Sequence, residues 1–292
     1  MIFLILSILS IVVYILGSDI SLIELTIHKL MLIFIVGSSL SIAGLILQVI
    51  LKNPLVEPYI LGISSCAGIG FVISIVFNLN IFFTNVIMLS LVILCFLVII
   101  SNYGSNLKFI LIGISINLIC SSLINLIMAI SKQDIFKTIF ILWGNLDRVL
   151  TKQDAIFLYF CFVVVLVSIL YTIIQRKKLL ILSLSDEEAL SLGLNIKKYK
   201  KIFLSIAFIL TSISVYFSGI IGFLGLIVPH ISRIIHKDNY FWILVSSINL
   251  SIFLLIVSVI FLKFSKLSIP VGIITSLIGV PFFIFILLKY LK

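Results

Sequence analysis

Few residues in this 292-residue chain carry side chains that could do chemistry, and their placement limits what that chemistry is. The carboxylates are Asp19, Glu24, Glu57, Asp134, Asp147, Asp154, Asp186, Glu187, Glu188 and Asp238, and all stand at the ends of apolar runs or in the gaps between them. A carrier coupled to protons or sodium usually keeps an ionisable group near the bilayer midplane, and no apolar run here holds one in its middle. Neither GxxxxGKS nor GxxxxGKT occurs, and the glycines are scattered through apolar sequence, so the chain has no P-loop route to nucleotide hydrolysis. His230 and Arg233, three residues apart, share a helix face, but one His without an acidic neighbour is a poor metal site; the pair reads as structural contacts near one membrane surface. Cys66, Cys95, Cys120 and Cys161 all lie in apolar segments with no CxxC pair, which makes them buried small hydrophobes.

Three polar constellations remain. Gly113, Asn117, Ser121 and Asn125 recur every fourth residue and so fall on one helical face. An Asn in hydrocarbon is costly unless it meets water or a partner, so this stripe could line an aqueous path; it could equally serve close helix packing. In LQVILKNPLVEPYILGISSCAGIG, residues 47–70, Pro54 and Pro58 fix their own φ and disfavour helix at Asn53 and Glu57, so a rigid turn interrupts the apolar sequence. The third is RKKLLILSLSDEEALSLGLNIKKYKK, residues 176–201, the longest polar connection. Ser185 can cap a helix whose first turn holds Asp186, Glu187 and Glu188 at its positive end. Ala189, Leu190 and Leu192 supply an apolar face, and Gly193 can end it. Without further information this helix could be an ordinary interfacial helix with basic anchors.

The elements that must position these residues are set by solvent. With 63% hydrophobic residues, 10% charged and a mean hydropathy of +1.43, the chain cannot hide its apolar surface in one soluble core. Polar and Gly/Pro breaks divide it into ten apolar runs, near 1–17, 27–51, 59–77, 81–100, 107–130, 154–175, 202–218, 220–235, 240–262 and 269–289. The expectation is an all-α integral membrane protein of about ten transmembrane helices forming one domain over 1–292. The run at 220–235 is short and carries Pro229, which predicts a tucked or kinked helix. The start, MIFLILSILSIVVYILG, has no basic leader or small-residue cleavage site and reads as a retained first span. A net charge of +10 comes without a basic helix or aromatic platform for nucleic acid. Placing both termini in the cytoplasm puts most of the Lys and Arg there, the cluster at 176–201 above all, as the positive-inside rule asks.

The segment EEALSLG resembles the EAA-type loop by which permeases of ATP-binding-cassette (ABC) importers dock into a groove on their ATPase subunits. The rest resembles one branch of those importers, the FecCD or BtuC-like permeases for iron-siderophore, haem and cobalamin uptake. GSSLSIAGLILQVILKNPLVEPYILGISSCAG, residues 37–68, is similar to that family's first signature, and GIIGFLGLIVPHISR, residues 219–233, to its second. IPVGIITSLIGVPFFIFILLK, residues 269–289, is similar to the closing helix, and LWGNL, residues 142–146, to a mid-chain WxxG-type element, with Trp143 read as an interface anchor. The family's RLPR-like string before the second span is here Thr26, Ile27, His28, Lys29, with only the second cation kept.

The resemblance implies roles. Asn53 and Leu55 become gate residues at the inner mouth, where the same turns from two copies would meet near a two-fold axis. Gly113, Asn117, Ser121 and Asn125 border the pathway. Asp186, Glu187, Glu188, Ala189 and Gly193 form the ATPase coupling helix. Lys29, Lys263 and Lys266 face an extracytoplasmic substrate-binding protein, though Lys263 and Lys266 could simply solvate loop ends. The implied assembly is a permease homodimer or close heterodimer in the cell membrane, with two ABC ATPase subunits that use ATP and Mg²⁺; the permease is not an enzyme and binds no cofactor or metal. Siderophore-bound iron comes first among cargoes, then haem, then cobalamin. The competing classes are an ion-coupled secondary transporter or channel and a membrane structural protein.

Overall fold

The computed structural model describes residues 2–16, 23–76, 90, 106–131, 143–146, 152–237, 239–265 and 269–290, and among these the chain is all-helical. The helices are α1 (Ile2–Leu16), α2 (Ile23–Ile50), α3 (Ile63–Val76), α4 (Asn106–Ser131), α5 (Lys152–Ile174), α6 (Arg176–Ser183), α7 (Asp186–Ser191), α8 (Ile196–Ser218), α9 (Leu224–His236), α10 (Tyr240–Ser265) and α11 (Val271–Tyr290), with a 3-10 turn at Pro58–Leu61. Nine of the ten apolar runs therefore become helices, and the run near 81–100 lies outside the described residues apart from Ser90. Five helices are long and apolar enough to cross a bilayer on their own: Leu25–Ile50, Asn106–Ile130, Ala155–Ile174, Ile196–Ser218 and Tyr240–Ser265. The chain is a multi-pass membrane protein.

Helix α2 is the axis of the bundle. Every residue from Ile35 to Leu51 is buried, and the helix packs against α8, α10 and α9. A helix apolar all round belongs in such a position. Its small residues let neighbours come close, which is how membrane helices gain packing without a hydrophobic drive between them. A Cβ on Gly44 would lie 1.8 Å from the Gly225 carbonyl oxygen of α9, so only glycine fits that crossing. Ser251 of α10 donates to the Gly37 carbonyl at 2.8 Å. Ser38 and Ser41 satisfy their hydroxyls on carbonyls one turn back, on Phe34 and Ser38. Around this axis α1 lies on α10, with Ser7 donating to Asn249, and α3 pairs with α4. Cys66 and Cys120 face each other across that second pair, Sγ to Sγ 3.2 Å, both buried, and Cys161 is buried as well.

Helix α4 is the exception, with most of its length uncovered. Leu107, Leu118, Leu126 and Ile130 are each more than half exposed, while the face carrying Phe109, Gly113 and Cys120 is buried. A long apolar helix exposed in this way must be covered by lipid or by another chain.

Candidate functional site

The polar connection after α5 folds into two short helices. The second, α7, is closed at both ends by local chemistry. At its start Ser185 and Glu188 form a reciprocal capping box: the Glu188 N–H donates to Ser185 Oγ at 3.2 Å, and the Ser185 N–H donates to Glu188 Oε2 at 2.9 Å. These bonds hold the exposed Glu188 carboxyl below its ordinary range. At its end Gly193 is left-handed, φ 75°; its N–H donates to the Leu190 carbonyl at 2.9 Å and the Leu194 N–H to the Ala189 carbonyl at 3.1 Å. That pattern is a Schellman motif, with buried Leu194 and Ala189 as its hydrophobic contact. The apolar face read from the sequence divides: Ala189 packs inward, whereas Leu190 and Leu192 are 62% and 59% exposed and point away from the bundle. Leu190, one residue on, is turned about 100° from Ala189 round the helix, and Leu192 stands at the C-cap, past the helix's last residue.

Asp186 ties this helix to the bundle. Its carboxylate takes Lys52 Nζ at 2.7 Å and Lys200 Nζ at 3.5 Å. The hydrogen bond from Lys52 holds the Asp186 carboxyl below the usual carboxylate range, slight burial opposes this, and the charge of Lys200 adds to it. Lys52 lies in the turn just past α2 and Lys200 belongs to the first turns of α8, so one carboxylate joins three parts of the chain. Asn53 follows directly. Helix α2 stops in its own Schellman pattern, with Lys52 N–H on Val49, Asn53 N–H on Gln48, and Lys52 itself in the left-handed region at φ 50°. Asn53 Oδ1 then accepts the Leu55 N–H at 2.9 Å, an Asx turn that fixes Pro54 between them. Asn53 and Leu55 are half-buried and Pro54 is exposed.

Beyond the turn, the structure departs from the sequence reading. The chain climbs back along α2 instead of leaving it. A Cβ on Gly225 would meet Pro58 Cδ at 2.6 Å and the Leu40 carbonyl at 3.0 Å, so Pro58 stands level with Leu40. Leu40 lies ten residues before the end of α2, about 15 Å along the axis, roughly half the thickness of a hydrocarbon core. Glu57, expected at the cytoplasmic end of a span, therefore sits deep in the bundle. There its Oε1 accepts the N–H of Phe223, the residue that opens α9, while Tyr59 Oη accepts the Ile221 N–H at 3.2 Å. Helix α9, of 13 residues, is too short to span alone, and both it and α3 begin at this depth. A half-helix whose positive end meets a carboxylate is the membrane form of a helix-terminus anion site, filled here at the start of α9 by the chain's own Glu57.

Gln48 completes the junction. Pro229 inside α9 has no N–H to give the carbonyl four residues back, at Gly225. The buried Gln48 Nε2 reaches that carbonyl at 3.2 Å and the Leu226 carbonyl at 3.1 Å, replacing the missing donor. It also lies 3.5 Å from the Val56 carbonyl in the turn. Gln48, Glu57 and Tyr59 were in plain view in the sequence, but nothing local marks a residue whose partners lie more than 160 positions away.

The remaining candidates divide. On α4, Gly113 packs against Leu61 of the 3-10 turn and Asn117 is half-buried beside Gly62, while Ser121 and Asn125 are exposed. The stripe thus serves close packing at one end and open surface at the other. Lys29 and Lys263 fall at the end of the bundle opposite Asp186: Lys52, past the far end of α2, pairs with Asp186, and Phe241, at the far end of α10, lies under Arg176 at the start of α6. Lys266 lies outside the described residues. Glu187 is exposed on α7. His230 is buried in α9, and Arg233 reaches the Leu45 carbonyl at 3.5 Å. Trp143 is half-exposed and borders a 570 Å³ cavity with Gly222, Gly272 and Ser276. Its segment is pinned by backbone bonds, Asn145 N–H to Ser218 and Gly272 N–H to Gly144.

Comparison with known proteins agrees with this architecture. The FecCD transport family profile matches residues 3–289. A Helicobacter pylori (strain J99) protein described as a probable iron chelatin transport system permease is 31% identical over 270 residues, covering 91% of this chain and 82% of that one. The hemin transport system permease protein of Yersinia pestis is 30% identical over 275 residues, with 89% and 81% covered. Among solved structures, an inward-facing conformation of a metal-chelate type ABC transporter superposes with a TM-score of 0.86 at 26% identity, over 98% of this chain and 97% of that one. A helical bundle built around α2, with the short helix α9 beginning inside it and the family profile matched over residues 3–289, belongs to the FecCD transport family.

Proposed function

We propose that this chain is the membrane-spanning permease of an ABC importer, carrying a metal chelate inward, with an iron-siderophore complex as first candidate and haem or cobalamin next. Two ABC ATPases supply the work on the cytoplasmic side by binding and hydrolysing ATP with Mg²⁺, and a second permease copy completes the pathway. A binding protein outside delivers cargo near Lys29 and Lys263. The observation that carries the reading is the Lys52–Asp186–Lys200 bridge, which attaches a doubly capped surface helix with two uncovered leucines to the residue beside the Asn53–Leu55 turn. A push on Leu190 and Leu192 travels through α7 to Asp186, from there to Lys52, and so to the gate turn. With both ends capped, α7 moves as one body.

Gly193 provides the test. A Cβ there would meet no atom within 4 Å, so Gly193→Trp costs only the left-handed backbone, about 1–2 kcal/mol. In proteoliposomes holding the permease with its ATPases and binding protein, the variant should keep its fold and lose uptake and cargo-stimulated hydrolysis. Unchanged uptake would refute the coupling role. A secondary carrier is favoured by one observation, the deep carboxylate of Glu57. Uptake by the permease alone under a proton or sodium gradient would establish that reading instead.

A further inference from the structure

The cytoplasmic end of the bundle holds a second polar feature that gate and coupling do not use. Where α5 turns into α6, Arg176 and Lys177 face the start of α10 across a 320 Å³ cavity that Leu180, Asn239, Tyr240 and Phe241 complete. The Arg176 guanidinium lies 5.4 Å over the Phe241 ring, with one nitrogen 3.4 Å from the Ile173 carbonyl, so stacking holds it in place and leaves other N–H groups directed elsewhere. Neither Arg176 nor Lys177 has a carboxylate partner among the described residues. Asn239 caps α10, its Oδ1 3.5 Å from the Trp242 N–H, so the positive end of a 26-residue helix opens on the same cavity. Two cations and a helix N-terminus thus converge beside Tyr240, and among the described residues no acid lines the cavity. The flanks are apolar: Ile174 is 71% exposed in the last turn of α5, and Trp242, next to Phe241, is 46% exposed. Trp at this level is typical of the membrane interface.

We propose that this cavity binds the phosphate of an anionic phospholipid from the cytoplasmic leaflet, with the acyl chains lying along the exposed faces at Ile174 and Trp242. Arg176 and Lys177 take the phosphate oxygens, Tyr240 and Asn239 border the glycerol, and the aromatic pair Phe241–Trp242 sets the depth. The ligand class follows from position: a phosphate anion bound where polar cavity and exposed apolar helix adjoin has its hydrophobic part beside it. The site stands apart from the identity of the cargo.

Native mass spectrometry of the purified full-length chain, titrated with phosphatidylglycerol, phosphatidylcholine or inorganic phosphate, tests it. Each cation near an anionic headgroup changes binding about fivefold. Wild type should retain phosphatidylglycerol over phosphatidylcholine, and Arg176→Gln with Lys177→Gln should remove that preference. Lys177→Gln alone, at an exposed position that cannot disturb packing, should remove part of it, and Lys201→Gln, on the same face but outside the cavity, none. Three results would overturn the proposal: full retention in the double variant, an equal loss in Lys201→Gln, or displacement of the lipid by millimolar inorganic phosphate. Release of the lipid when the ATPase subunits bind would also overturn it, by giving the cavity to the partner.

Discussion

Lys52 holds a conformation that suits glycine and a charge that glycine lacks, and the two requirements can be separated by size. Leaving the left-handed region to a residue without Cβ relieves about 1 kcal/mol, while an exposed ion pair contributes about 0.2–1 kcal/mol. Lys52→Gly should therefore melt at or slightly above wild type yet lose cargo-stimulated ATP hydrolysis in the assembled transporter; a variant that stays coupled would show that the bridge transmits nothing. The pH dependence of the same bridge follows from Asp186. Its pKa is lower folded than unfolded, so its contribution is present above the unfolded value of about 3.9 and is lost as pH falls through the folded value. The difference in activity between wild type and Asp186→Asn should accordingly be flat from about pH 5 to 8. A difference that titrates within that range would mean another group governs the bridge. Glu57 is a half-buried acceptor with one backbone donor in hand. Glu57→Ala orphans the Phe223 N–H at a cost of about 1–3 kcal/mol, and Glu57→Gln, which keeps a carbonyl, should recover most of it. Equal losses in detergent melts would rule out the capping role.

At the scale of elements, α9 is a helix with a proline inside, repaired from another helix. Pro229 leaves the Gly225 carbonyl without its donor, and Gln48 of α2 supplies one. Gln48→Leu should cost about 1–3 kcal/mol. Pro229→Ala restores the missing N–H, so in that background Gln48→Leu should cost measurably less. A double-mutant cycle by thermal or denaturant melts would show a coupling of about 1 kcal/mol, and strict additivity would mean the two residues act separately. The two short helices at 176–191 illustrate the opposite case. Everything that bounds α7 is within four residues of it, so its existence could be read from SDEEALSLG, whereas the exposure of Leu190 and Leu192 could not.

For the whole molecule, the uncovered length of α4 sets the next constraint. Exposed Asn125 and Ser121 in hydrocarbon would be expensive, and the same residues along a water-filled axis between two copies would not. Asn125→Cys, in a chain whose Cys66, Cys95, Cys120 and Cys161 are replaced by Ala, should react with a water-soluble maleimide in the assembled transporter, at a rate that changes when the ATPases bind nucleotide. No reaction in any state would place the stripe against lipid or in a dry contact and remove it from the pathway. The same two-fold assembly would bring together the Asn53–Leu55 turns, each attached to its own α7.

What the sequence determined by itself is the part of this protein that depends on near neighbours and on solvent: hydropathy set the bilayer and the spans, the apolar run around Pro229 the short helix α9, Ser185 with Glu188 and Gly193 the two ends of α7, and Pro54 the turn after α2. The tertiary structure alone decided that the chain re-enters along α2, that Glu57 lies deep and caps α9, that Gln48 serves a proline far along the chain, and that Asp186 joins three parts of the chain. Hydrogen bonding in an apolar medium is obligatory but indifferent to sequence distance. A lone polar residue in an oily chain announces that a partner exists, and only packing says which one.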